Sequence, residues 1–250
     1  LAIVTLALAI ACHRSGAAAG INLSWTDCYG GPGTSLDQNF ACDVNDGSHV
    51  LVATFDPPQG VTRLVGLSAV IDVATADAMP SWWQLAAGGC RAGSLQLDIG
   101  NAEIPFCTTY WPLITSRSLA YTTNAGGYAN RTRIHVSMGI PEDIAGAVDS
   151  GTEYYAFRLL LDNAATIGGG ACEGCDIPAC IILTALWLYQ PPAFGDHAIC
   201  SPLLSNFVTW QGGPVGQCPG TDTPPPWWPT DCLTTPAQNR TWGQIKSLYR

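Results

Sequence analysis

Residues Thr132–Met138 read T-R-I-H-V-S-M, and the alternation is strict: Ile134 and Val136 fall on one side, Arg133 and His135 on the other. A period of two is the signature of a half-buried β-strand. Further β-rich apolar runs lie outward in both directions. They are Ile21–Trp25, His49–Phe55, Leu64–Val73, Leu95–Ile99, Leu119–Thr122, Tyr154–Leu161, Ile181–Tyr189 and Phe207–Trp210. Breakers separate them, among them Asp56-Pro57-Pro58, Asn124-Ala125-Gly126-Gly127 and Gly168-Gly169-Gly170. No segment shows a sustained 3.6-residue period with caps, and only Glu142–Val148 offers a helical turn. Nine short strands at this spacing predict an all-β fold, a β-sandwich with Greek-key or jelly-roll connections, over residues 20–210.

Composition narrows the function classes. The chain has 250 residues, 12% charged and 47% hydrophobic, with a net charge of −9 and a single lysine, Lys246. A row of phosphates would find nothing to neutralise it, so a nucleic-acid partner is disfavoured. Plentiful apolar residues argue against intrinsic disorder.

Both ends depart from the central pattern. Leu1–Ala11 is an apolar run, interrupted by Thr5 alone, and too short to span a bilayer. It reads as the core of a signal peptide covering residues 1–19, with cleavage after Ala19. A lipoprotein signal with Cys12 as the lipidated residue is the alternative. Residues 211–239 carry seven prolines and read as an extended strap or linker. Residues 240–250 hold a capping box, Thr241 and Gln244, followed by Trp242, Ile245 and Tyr249 on one helical face. Lys246 and Arg250 sit near the C-terminal end, where cations are favoured. A helix this short needs a partner surface, so Trp242, Ile245, Lys246, Tyr249 and Arg250 form a candidate docking tail.

With Cys12 in the leader, ten cysteines remain: Cys28, Cys42, Cys90, Cys107, Cys172, Cys175, Cys180, Cys200, Cys218 and Cys232. An even set in a lysine-poor exported chain reads as a disulfide framework. Cys28 with Cys42, and Cys90 with Cys107, are the expected local pairs; those from Cys172 onward stay open. Cys172-x-x-Cys175 with Cys180 looks like half a zinc knuckle, but no second pair completes it. No metal or other cofactor is therefore expected. Asp43–Gly47 lacks the spacing of a calcium loop and reads as an Asx-rich turn.

No catalytic signature stands out. His49, His135 and His197 are the histidines beyond the leader, no G-x-S-x-G is present, and Glu103, Glu142, Glu153 and Glu173 are the only glutamates. A glycoside hydrolase or lyase using paired carboxylates remains the least favoured reading. Trp82, Trp83, Trp111, Tyr154 and Tyr155 are candidate platforms for sugar rings. Adjacent Trp82 and Trp83 would face opposite ways if extended, leaving one exposed.

Five stretches carry a resemblance: I-N-L-S-W-T-D-C (Ile21–Cys28), G-T-E-Y-Y-A-F (Gly151–Phe157), G-A-C-E-G-C-D-I-P-A-C (Gly170–Cys180), F-V-T-W-Q-G-G (Phe207–Gly213) and the terminal T-W-G-Q-I-K-S-L-Y-R. Together they resemble an uncharacterised group of exported bacterial proteins sharing this tail. The resemblance implies secretion and a sorting or surface-docking role, and brings no catalytic residue or substrate. The expectation is a secreted or cell-surface, non-catalytic structural or adhesive protein. Its partner would be a component of the bacterial envelope or a matrix, and a carbohydrate-binding module is the alternative.

Overall fold

The alternating stretch forms the strand Arg131–Gly139 and lies between Gly66–Thr75 and Ser116–Thr123 in the larger of two sheets. The computed structural model describes residues 19–100, 106–112, 114–200 and 205–213. In chain order its strands are β1 (Gly20–Trp25), β2 (Asp37–Gln38), β3 (Ser48–Asp56), β4 (Gly66–Thr75), β5 (Leu95–Asp98), β6 (Ser116–Thr123), β7 (Arg131–Gly139), β8 (Tyr154–Asp162), β9 (Ala179–Tyr189), β10 (His197–Ile199) and β11 (Phe207–Trp210).

One sheet has the order β1-β3-β8-β5; the other runs β2-β11-β9-β4-β7-β6, with β10 on β9. Pairings are antiparallel except β2 with β11. Consecutive strands mostly change sheet, while β6–β7 and β9–β10 are antiparallel hairpins. The two sheets pack face to face as a sandwich, which confirms the all-β expectation. All nine expected strands are present. The additional β2 and β10 hold two and three residues, too few to show a period. The helical turn expected near Glu142–Val148 is a single 3-10 turn, Glu142–Ile144.

Alternation sets what lies inside. Ile134, Val136 and Met138 of β7 join Leu67, Ala69 and Ile71 of β4, facing Leu23, Leu51, Phe157 and Leu159 of the other sheet. A fully buried side chain of this size contributes about 1.5–3 kcal/mol by leaving water. The polar side of β7 is not simply solvated. Arg133 is buried and forks onto Asp72 of β4, with Nε and Nη2 donating at 2.6 and 2.7 Å. Satisfying both carboxylate oxygens is what makes a buried ion pair tolerable.

The expected leader (residues 1–18 of it), the strap from Pro214 onward with Cys218 and Cys232, and the tail residues Trp242, Ile245, Lys246, Tyr249 and Arg250 lie outside the described residues. No described helix is long and apolar enough to cross a membrane.

Candidate functional site

The five candidate platform residues are interior or near it. Pro80 precedes a 3-10 turn, Ser81–Trp83, so the tryptophan pair is coiled rather than extended and both rings turn inward. Trp82 and Trp83 are 0% and 2% exposed, which corrects the expectation that one would face solvent. Trp82 stacks on Trp210 at 4.8 Å, and Trp210 also meets Trp25 at 6.1 Å and Trp83 at 5.7 Å. Trp111 packs edge-on against Tyr110, Tyr154 stacks on Phe55, and the Tyr155 hydroxyl donates to the Asp98 carbonyl. All five are buried. An open face for sugar stacking is therefore not presented by Trp82, Trp83, Trp111, Tyr154 or Tyr155. Aromatics bury so much apolar area that packing outweighs display here.

Arg91 is the polar centre of this tryptophan knot. It is 2% exposed, its guanidinium lies 3.6 Å from the centroid of Trp82, and Nε and Nη1 donate to the Ala164 and Trp82 carbonyls at 2.9 and 3.1 Å. Nη2 donates to the Asp162 carbonyl. Burial lowers its pKa to about 10, although Asp162 works in the opposite direction. Donation from all three nitrogens offsets part of the cost of burying the charge.

The cysteines are paired across the fold. Cys28 bonds Cys107, Cys42 bonds Cys175 and Cys90 bonds Cys172, spanning 79, 133 and 82 residues. The expected local pairs Cys28–Cys42 and Cys90–Cys107 are thus corrected. Cys42 and Cys90 instead meet the loop before β9, because strand crossings bring distant loops together. Both cysteines of Cys172-x-x-Cys175 are consumed, by different partners, which removes the half zinc knuckle. Cys180 and Cys200 are disulfide-bonded as well, so every described cysteine is oxidised. No cluster of metal-ligating side chains occurs among the described residues.

The Asp43–Gly47 segment is a clamp. Asn45 Oδ1 accepts from the backbone N–H groups of Thr166 and Ile167 at 2.8 and 2.9 Å, and its Nδ2 donates to the Ile167 carbonyl. Of the glutamates, Glu153 is engaged: Asn22 Nδ2 donates to Oε1 at 2.9 Å, and the Thr54 hydroxyl donates to the same oxygen. Its neighbour Asp56 accepts from Gly151 N–H at 2.7 Å. Burial raises the Asp56 pKa, the Gly151 bond opposes the rise, and the charge of Glu153 adds to it. The arrangement binds β1, β3 and the start of β8 into one polar row.

Histidine 49 packs between Phe40 and Trp210, at 5.0 and 4.9 Å between ring centroids, and burial lowers its pKa. His135 is also lowered, by burial first and then by Arg133.

The opening of largest interest lies on the other side of the Trp82-Trp83 turn. A solvent-open cleft of about 370 Å³ separates the loop after that turn from the β6–β7 turn. Gln84 and residues 86–89 form one wall, Thr123, Asn124 and Ala129 the other, and fully buried Thr132 the floor. The first wall must be tight: a Cβ on Gly89 would come within 2.3 Å of the Gln84 carbonyl oxygen. The second is set by Asn124 in the left-handed region, at φ 52° and ψ 42°, with Gly127 N–H donating to its carbonyl at 2.9 Å. Met79 N–H joins the walls by donating to the Ala129 carbonyl at 2.9 Å. Under the floor, the Tyr121 hydroxyl lies between the Trp83 carbonyl and Thr132 Oγ1. A carbonyl only accepts, so Tyr121 donates to it and accepts from Thr132, leaving Thr132 Oγ1 with free lone pairs. Burial pushes the Tyr121 pKa up to about 12, keeping the hydroxyl protonated. In the sequence, Asn124–Gly127 shows only as a breaker, and Gln84 carries no signal.

No protein-family model, curated protein or solved structure matches the chain. The class defined by fold and site is a disulfide-braced β-sandwich with a dry, tryptophan-filled interior at one end and a polar cleft beside it.

Proposed function

We propose that the chain is an exported, non-catalytic structural or adhesive protein. It is retained at the bacterial surface or in a matrix through its C-terminal residues Thr241–Arg250. One observation carries this reading: all eight described cysteines are in disulfides, and the three assigned bridges join segments 79 to 133 residues apart. Such bridges form and persist in oxidising compartments. A scaffold outside the cell gains from a fold that stays closed without cytoplasmic chaperones. The scarcity of lysine, with the last three charges all positive (Arg240, Lys246, Arg250), supports a role for the tail as a distinct contact.

Deletion of Thr241–Arg250 in the producing cell tests the reading. The expected result is a protein with an unchanged disulfide map that moves from the cell-surface fraction to the medium. Full retention of the truncated protein at the surface would overturn it.

A further inference from the structure

We propose that the cleft between Gln84 and Asn124 binds a neutral saccharide, held by the two side-chain carboxamides that line it. None of the residues lining it is charged. Phosphates, carboxylates and metal ions therefore have no counter-charge there, and the net charge of −9 repels anions further. What the cleft does offer are groups that both donate and accept. Gln84 and Asn124 line it, and neither side chain makes a hydrogen bond to another described residue. Exposed Thr123 adds a hydroxyl.

A carboxamide presents two N–H donors and an acceptor oxygen. A sugar hydroxyl presents one donor and two lone pairs. Neighbouring hydroxyls of a ring can thus be matched by each amide in either sense. Uncharged amides are also cheaper to strip of water than ionised groups. Met79 and Ala129 supply apolar contact for the C–H face of a ring. The volume falls at the lower end of the roughly 300–1,000 Å³ typical of small-molecule sites.

Preorganisation strengthens the case. The disulfide Cys90–Cys172 holds the loop just beyond Gly89, and the Met79–Ala129 bond ties that side to the turn. The amides are therefore carried on walls whose spacing is set before any ligand arrives, which lowers the ordering cost of binding. This inference does not rest on surface retention through the tail: it is read in solution, so either can fail alone.

The test is a titration of the soluble full chain with a panel of neutral trisaccharides (β-glucan, chitin, xylan and mannan types), followed by calorimetry and by amide NMR shifts. Saturable binding of at least one member is expected, with shifts at Gln84, Asn124 and Thr132. Gln84→Met keeps side-chain length and removes the amide. Asn124→Gly removes the other while tolerating the left-handed backbone. Together they should weaken binding by about tenfold or more, since each lost neutral hydrogen bond accounts for a few-fold. Ile144→Ser, on an exposed turn outside the cleft, should bind as the parent does. The proposal is overturned by an absence of saturable binding across the panel, or by unaltered affinity in the folded double variant. Tighter binding of an acidic oligosaccharide or of an uncharged tripeptide at the same amides would also overturn it.

Discussion

The segment Ser81–Arg91 has two sides of opposite character. Inward it is dry: Trp82 and Trp83 are sealed and Arg91 lies on an indole face, while exposed Cys90 near its end is bonded to buried Cys172. Outward, beginning at Gln84, it is wet, glycine-rich and free of charge. A few residues separate the buried tryptophans from the polar cleft. A polar recognition wall keeps its shape when its inner side cannot move. A cation–π contact beneath the loop and a disulfide at its end supply that rigidity.

The largest way to break the contrast is to cut the disulfide at the end of the segment. Replacing Cys90 and Cys172 together by alanine frees an 82-residue loop. The chain-entropy relation puts the loss at about 4.5 kcal/mol. Denaturant unfolding should show the midpoint falling accordingly, and binding in the cleft should weaken with it. Next comes Arg91→Ala, which leaves buried carbonyls of Trp82, Asp162 and Ala164 without a donor and opens a cavity beside Trp82. A loss of about 3 kcal/mol is expected, or roughly 6–12 °C in a thermal melt of a chain this size.

The smallest effect sharpens the comparison by pH. His49 belongs to the knot, and its folded-state pKa lies below 6.5. The unfolded chain therefore binds a proton that the folded one resists. Stability from this group is complete above about pH 6.5 and is lost as pH falls through the folded-state pKa. Thermal melts of His49→Phe against the parent between pH 7 and 5 should show a shallower loss on acidification. His135, lowered in the same direction, retains the remainder. An identical pH slope in both proteins would place His49 outside the buried network.

Much of the fold was legible because each long strand carries its own inward set. Thr132–Met138 shows Ile134 and Val136 at period two, and Ile181–Tyr189 is apolar because β9 is a central strand. The misreadings have local causes. Adjacent Trp82 and Trp83 would face opposite ways only in an extended chain, and the turn after Pro80 coils the pair. Cys28 and Cys42 lie close in sequence, yet their partners arrive from segments 79 and 133 residues away. The cleft had almost no signal, since Gln84 and Asn124 lie in separate loops and neither has a periodic context.

The amino-acid sequence by itself determined the all-β architecture and the oxidised character of its cysteines, because alternation and composition act residue by residue along the chain. Only the tertiary structure decided which cysteines meet, that Trp25, Trp82, Trp83 and Trp210 are interior, and that two carboxamides without a hydrogen bond to another described residue share an opening. Those outcomes depend on distances between segments remote in sequence, and such distances exist only once both sheets have closed on each other.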